Sequence, residues 1–223
     1  MKFEDYRIAP EIKKNLEELG FKRPTDIQFK SIPPILKGED VLAIAQTGTG
    51  KTAAFAIPIL HLLHDRKSSA RPAGIKCVVM VPTRELALQI TEVFDKIGRH
   101  TRVKTFCVFG GVEQGPQIAR LEKGIDVLIT TPGRMFDLVS QGFIQLENVE
   151  ILVLDEFDKS LDLGFQDQMS FIIRCLGKLK KRVLVSATSS IEIPKFAGAN
   201  HPTTLNFLPE DEVKEGLTLK LII

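Results

Sequence analysis

The chain has 223 residues, of which 43% are hydrophobic and 26% charged, with a net charge of +2. That length buries roughly 70 to 75% of the unfolded surface, and the composition excludes a largely disordered chain. The small net charge excludes recognition of a polyanion by a global positive field, so any nucleic-acid contact must be local. Met1 to Leu16 carries Lys2, Glu4, Asp5, Arg7, Glu11 and Lys13 and does not resemble a signal peptide, and no apolar run reaches the ~20 residues of a membrane span. Cys77, Cys107 and Cys175 lie in apolar runs without CxxC spacing and read as reduced core thiols. The expected setting is the cytosol.

In chain order, short apolar β-rich runs predict strands at Val41 to Ala45, Cys77 to Val81, Val103 to Phe109, Asp126 to Thr131, Ile151 to Leu154 and Val183 to Val185. Between them, helical spacing links Leu86, Ile90, Val93, Phe94 and Ile97, and later Phe171, Ile172, Cys175, Leu176 and Leu179. Alternating strands and helices predict an α/β domain with a mainly parallel sheet flanked by helices on both faces. Ligands in such a domain sit beyond the carboxyl ends of the strands. Asp65 to Gly74 reads as a polar surface loop, and the acidic stretch Pro209 to Gly216 as a linker. His61 and His64 share a helix face without a cysteine near them in sequence and are not read as metal ligands.

After the first strand the chain reads AQTGTGKT, from Ala45 through Gln46, Thr47, Gly48, Thr49, Gly50 and Lys51 to Thr52. Glycines there let successive amides turn inward on a polyphosphate, Lys51 adds a compact charge, Thr52 offers a hydroxyl to magnesium, and the following helix adds its dipole. Ala45 stands where the pattern has its first glycine, which predicts an ordinary negative φ at that position. Further on, the buried run Leu152 to Leu154 leads into Asp155 and Glu156. Two adjacent carboxylates repel one another without a cation; Asp155 suits magnesium, partly through water, and Glu156 suits a water positioned against the terminal phosphate. An Asp-Glu pair by itself is more often a solvated strand end; the upstream loop reverses that preference.

With these elements in place, the chain resembles the DEAD-box RNA helicase family over nearly its whole length. Gly20-Phe21, Pro24-Thr25 and Ile27-Gln28 are similar to the family's Q motif, with Phe3 at its isolated upstream aromatic. The resemblance implies that Thr25 and Gln28 belong to the nucleotide site, that Gln28 reads adenine through its amide, and that Phe3 stacks on the base. From the residue alone, Phe3 is rather a core anchor. Pro82, Thr83 and Arg84 of PTREL, the pair Gly110-Gly111, and Thr131, Pro132, Gly133 and Arg134 of TPGR resemble the elements that grip an RNA backbone. Read alone, Pro132-Gly133 is a turn, Thr131 a helix cap and Arg84 an ion-pair partner. Ser186 and Thr188 of SAT resemble the element coupling nucleotide state to RNA, with hydroxyls directed at Asp158; a local hydroxyl-capped turn is the plain alternative. The basic run Lys178, Lys180, Lys181 and Arg182 reads as a solvated connection.

Two departures qualify the resemblance. The signature reads DEFD, so Phe157 replaces a small residue between the acids; it is expected to point away from Glu156 and pack beneath the loop or against a helix. The sequence also ends at Ile223 and holds no HRxGRxGR-like element, so a second RecA-like domain with its arginine fingers is expected to be missing. The resemblance implies a RecA-like domain over residues 1–208, with 209–223 as linker and the first strand of that second domain. It further implies ATP and magnesium as cofactors, RNA as a partner held without sequence readout, and a monomer whose turnover is low without its second half. A one-domain nucleotide-dependent binding or regulatory module without catalysis is the rival reading, and a P-loop NTPase acting on DNA or a small molecule is another.

Overall fold

The computed structural model describes residues 1–66, 74–188, 192–199 and 201–208. Seven strands form one sheet: β1 (Val41–Ile44), β2 (Cys77–Met80), β3 (Thr105–Val108), β4 (Val127–Thr130), β5 (Ile151–Asp155), β6 (Lys181–Ser186) and β7 (Thr203–Asn206). Their order is β3-β4-β2-β5-β6-β1-β7, and every neighbouring pair is parallel. The expected α/β class and parallel sheet are therefore observed, with all six predicted strands in place. The seventh was not legible because its pattern is an edge strand's half-exposed alternation rather than a continuous apolar run.

Period-two alternation assigns the two faces of the sheet. Val41, Val79, Val153, Val183 and Val185 point to one core layer. That layer holds α1 (Pro10–Glu18), α2 (Asp26–Lys37), α3 (Lys51–Arg66) and α4 (Arg84–Ile97), with Phe55 and Phe94 fully buried among them. Leu42, Val78, Met80, Leu128, Leu152 and Leu184 point to the other layer. There they meet α5 (Gly115–Leu121), α6 (Pro132–Ser140), α7 (Phe157–Asp162) and α8 (Gln166–Arg174). Loops from the carboxyl ends of all the central strands thus emerge on one edge, where the chemistry-bearing motifs lie.

Several expectations are corrected. The second helical pattern stops at Arg174, with Cys175 as its cap, so Leu176 and Leu179 lie past the helix, before and after Gly177. Cys77 and Cys107 are buried free thiols, but Cys175 at this helix end is exposed. The basic run is not simply solvated: Lys181 is buried, Arg182 pairs with Asp40 at 3.6 Å and Lys180 with Glu150 at 3.2 Å. Residues 67–73 of the expected surface loop, and the expected linker and terminal strand over 209–223, lie outside the described residues.

Candidate functional site

At the end of β1 the Ala45 N–H donates to the Ser186 carbonyl at 2.9 Å, which ties the start of the phosphate loop to the neighbouring strand β6. Ala45 is fully buried against Ile27, Ala43 and Ala54 and is absent from the non-glycine residues with positive φ, as its substitution for glycine predicted. Gln46, Thr47 and Gly48 are exposed, and the Thr49 hydroxyl donates back to the Gln46 carbonyl at 2.9 Å, closing the turn. Gly48 and Gly50 take φ of +85° and +82°. At Gly50 the requirement is doubled, because a Cβ there would stand 2.7 Å from Gln28 Nε2. The helix α3 then begins at Lys51 with Thr52 beside it, so the amino-terminal dipole points into the loop.

The segment at the other side of the loop is built around one capping box. The Thr25 side chain accepts from the N–H of Gln28 and the Gln28 Oε1 accepts from the Thr25 N–H at 3.0 Å, which starts α2. The Gln28 Nε2 donates to the Gly50 carbonyl at 3.2 Å, and the Thr25 hydroxyl donates to the Thr49 carbonyl at 3.1 Å. Gln28 is therefore buried and fastened to the phosphate loop, with half of its amide capacity already used. Phe3 departs from its expected role. It is only 4% exposed and packs against Tyr6 and Phe21 at centroid distances of 6.2 and 6.1 Å, so it is the core anchor that its residue type suggested. Its neighbour Phe21 is partly exposed and lines a cleft with Lys13, Glu17 and Arg23.

Beneath the loop, Lys51 Nζ lies 3.4 Å from Asp155 Oδ1 and 3.3 Å from Glu156 Oε1, all three side chains being largely buried. Lys159 reaches the other Glu156 oxygen at 3.5 Å. Neither oxygen of the fully buried Asp155 makes a well-formed hydrogen bond, and burial together with the adjacent Glu156 charge pushes its carboxyl up to about 6 against the opposing pull of Lys51. Glu156 itself adopts the left-handed region at φ +50°, which costs a non-glycine residue of order 1 kcal/mol and turns the strand abruptly into α7. Phe157 is the first residue of a helix, 2% exposed, with its ring in the core layer shared with Ile44, Leu154 and Met169, away from Glu156 as expected.

The next acid, Asp158, accepts from the Ala187 N–H at 3.3 Å, while its Oδ1 is buried without a partner. The hydroxyls of Ser186 and Thr188 turn to each other and to their own backbone, the Thr188 N–H donating to Ser186 Oγ at 3.1 Å. The link from SAT to Asp158 therefore runs through a backbone amide, and the expected hydroxyl contact is replaced by the local turn.

Further along the same edge, Pro82, Thr83 and Arg84 follow β2, Gly110 and Gly111 follow β3, and Thr131 to Arg134 follow β4. The sheet order brings these three strands side by side. Thr83 caps α4 by accepting from the Leu86 N–H at 3.3 Å; Arg84 lays its guanidinium over the Phe109 ring at 4.8 Å instead of pairing with an acid. Thr131 occupies the cap position of α6 without a side-chain capping bond. Pro132 is buried, Gly133 faces the Phe165 ring, and a Cβ on Gly110 or Gly111 would meet open space. Arg134 points inward: its two terminal nitrogens donate to Gln117 Oε1 at 2.8 Å and to the Val112 carbonyl at 2.7 Å. Gln117 is a residue that motif reading passed over, since a single glutamine on a short helix carries no signal until its partners are known.

The model of the DEAD/DEAH box helicase family matches residues 25–196. DEAD-box ATP-dependent RNA helicase 5 of Arabidopsis thaliana is 40% identical over 181 residues, covering 79% of this chain and 34% of that protein. DEAD-box ATP-dependent RNA helicase RhpA of Helicobacter pylori is 38% identical over 223 residues, covering 99% and 44%. The chain thus spans less than half the length of these curated relatives. Among solved structures, a hypothetical ATP-dependent RNA helicase from Sulfolobus tokodaii superposes with a TM-score of 0.80 at 37% identity, over 90% of this chain and 57% of that one. A DEAD box protein from Methanococcus jannaschii superposes at 0.81 and 30% identity, over 100% and 64%. Phosphate loop, acidic strand end and the three loops of the sheet edge all lie in or beside the matched span, and the chain belongs to the DEAD/DEAH box helicase family.

Proposed function

We propose that this chain is the ATP- and RNA-binding half of an ATP-dependent RNA helicase that couples ATP binding and hydrolysis to local opening of RNA duplexes. The observation that carries the nucleotide part is the buried Lys51, Asp155 and Glu156 cluster directly beneath the glycine loop. A fully buried carboxylate with no well-formed hydrogen bond fits a hydrated divalent cation, which takes one or two carboxylates and otherwise keeps water and phosphate oxygens. Asp155, with the Thr52 hydroxyl, is the group to hold magnesium. Magnesium, when bound, neutralises phosphate charge.

The chain's own residues divide the remaining work. The loop amides of residues 46–52 cradle the phosphates, and Lys51 exchanges its carboxylate partners for the terminal phosphates. Glu156, freed from Lys51, orients a water for attack on the terminal phosphorus; the new P–O bond forms as the bond to the ADP oxygen breaks, and the water proton passes to Glu156. Gln28 offers its remaining donor and lone pair to adenine, and the partly exposed Phe21 offers a ring for stacking. Pro82 to Arg84, Gly110-Gly111 and Thr131 to Gly133 take RNA phosphate and sugar, contacts that carry no direct sequence information. Arg134 acts as a strut behind them. Asp158, held by Ala187, links the acidic strand end to the SAT segment.

Arginines for the developing charge come from a second domain, so the 223 residues by themselves bind nucleotide with little turnover. The expected setting is the cytosol, as a monomer. The test is steady-state ATP hydrolysis by the 223-residue chain, alone and joined to its downstream sequence, with single-stranded RNA or DNA. RNA-stimulated turnover only in the longer form is expected; robust RNA-stimulated turnover by the 223 residues contradicts the half-enzyme reading.

A further inference from the structure

Strand β3 lies at one edge of the sheet, so the peptide groups just beyond its last residue lack a neighbouring strand on one side. At Phe109 that place is taken by a side chain. The Phe109 N–H donates to Gln117 Oε1 at 3.3 Å and Gln117 Nε2 donates to the Phe109 carbonyl at 3.1 Å, so the amide of Gln117 imitates the peptide of an absent strand. Gln117 is 7% exposed. Its Oε1 has a second lone pair, and Arg134 donates to it at 2.8 Å while its other terminal nitrogen donates to the Val112 carbonyl. Only a side chain with an acceptor and a donor in one plane, at glutamine length, can make this set; glutamate lacks the donor and asparagine the reach.

The consequences reach all three loops of the edge. Phe109 is the platform on which the Arg84 guanidinium rests, and it immediately precedes Gly110-Gly111. Val112, on the far side of the two glycines, is held by Arg134 of the TPGR segment. A reciprocal amide pair, Gln114 with Gln141 at 3.0 and 3.3 Å, fastens the end of the glycine loop to the end of α6. The exposed glycines are therefore clamped from both sides, and the holds on Phe109 and Val112 meet at one buried amide.

We infer that Gln117 is a positioning residue for RNA binding: without touching RNA it fixes Phe109, and through it Arg84 and the Gly110-Gly111 loop, in the geometry that receives the backbone. This inference rests on the RNA reading of the edge given above. A neutral, buried residue in this role has an unusual signature. Its loss lets the cation Arg84 drift from the backbone, so the salt dependence of RNA binding weakens although no charge is removed.

The test compares the unaltered chain with Gln117→Met, which keeps the length and removes all three bonds, and Gln117→Glu, which keeps the acceptor alone. Binding of a labelled single-stranded oligouridylate is followed by fluorescence anisotropy across a range of salt, and a fluorescent ATP analogue reports the integrity of the fold. Expected are RNA binding weakened about tenfold in Gln117→Met, a smaller loss in Gln117→Glu, and a slope of log affinity against log salt reduced by about 0.7 in Gln117→Met, with nucleotide affinity within about twofold. If Gln117→Met loses nucleotide binding as well, Gln117→Glu decides by the same two readouts. Unchanged RNA affinity and slope in a variant that keeps nucleotide binding overturns the positioning role alone. An unaltered chain that binds nucleotide and no RNA overturns the RNA reading together with it.

Discussion

The two regions proposed to bind ligands lie on one edge of the same sheet and are built on opposite electrostatic plans. Around the phosphate loop the charges are buried and already engaged with one another: Lys51 spans Asp155 and Glu156, and Asp155 is fully enclosed. Along Pro82 to Arg134 the arginines of the motifs serve as a ring-stacked arm and an internal strut. On the proposed reading the nucleotide region is a charge-exchange site, in which phosphates and a cation would replace internal partners, whereas the proposed RNA region is a shape site held by a cation–ring contact and by hydrogen bonds to neutral acceptors. Such a contrast would let a chain with a net charge of only +2 accommodate the two polyanionic ligands proposed for it.

Substitutions at Lys51 break the contrast most strongly. Lys51→Ala leaves two neighbouring carboxylates buried without their cation, a change costing about 3 to 5 kcal/mol, and it removes the phosphate partner. A loss of nucleotide affinity of at least about 100-fold is expected by fluorescent ATP-analogue titration, with RNA binding of the folded fraction unchanged. Phe157→Ala is next. The ring is fully buried in the core layer opposite α3, so chemical denaturation is expected to report a loss of about 3 to 5 kcal/mol. At low temperature, where the variant stays folded, nucleotide affinity is expected to stay within a few-fold, because the ring belongs to the core layer with Leu154 and Met169.

Asp155 gives the comparison a pH dependence. Its folded carboxyl titrates near 6 and its unfolded one near 4, so between those values the folded state holds the extra proton. Stability of the ligand-free chain therefore contains a term that is most favourable below about pH 4 and is lost as the pH rises through about 6, amounting to about 3 kcal/mol at most. Denaturant titrations of the unaltered chain and Asp155→Asn across this window are expected to differ by that falling slope; parallel profiles would contradict the buried, under-bonded carboxylate. The smallest effect is assigned to the other region. Arg84→Ala is expected to weaken RNA binding by about three- to tenfold and to lower the salt slope by about 0.7, leaving nucleotide affinity untouched.

Much of this layout is legible in the sequence because it rests on local backbone chemistry. Two glycines with a lysine after a buried strand specify a loop of positive φ, and the observed angles at Gly48 and Gly50 follow. An apolar run ending in Asp155-Glu156 specifies acids at a strand end. Illegible features depend on tertiary partners. Phe3 has the same letter whether it stacks on a base or on Tyr6 and Phe21. Arg134 reads as a phosphate ligand until its two internal acceptors are seen, and Gln117 carries no motif at all. The seventh strand is missed because pairing with β1 on one side alone leaves its outward residues in water. Burial of Phe157 was anticipated; the left-handed turn at Glu156 that achieves it was not, since no glycine marks the place.

The separation of the two regions is tested most directly by amide hydrogen exchange on the 223-residue chain titrated in turn with magnesium-ATP analogue and single-stranded RNA. The nucleotide is expected to protect residues 25–28, 45–52 and 155–158, and RNA to protect 82–86, 109–114 and 131–134. Protection of the phosphate loop by RNA alone, or of residues 109–134 by nucleotide alone, would contradict two sites of opposite design on one sheet edge.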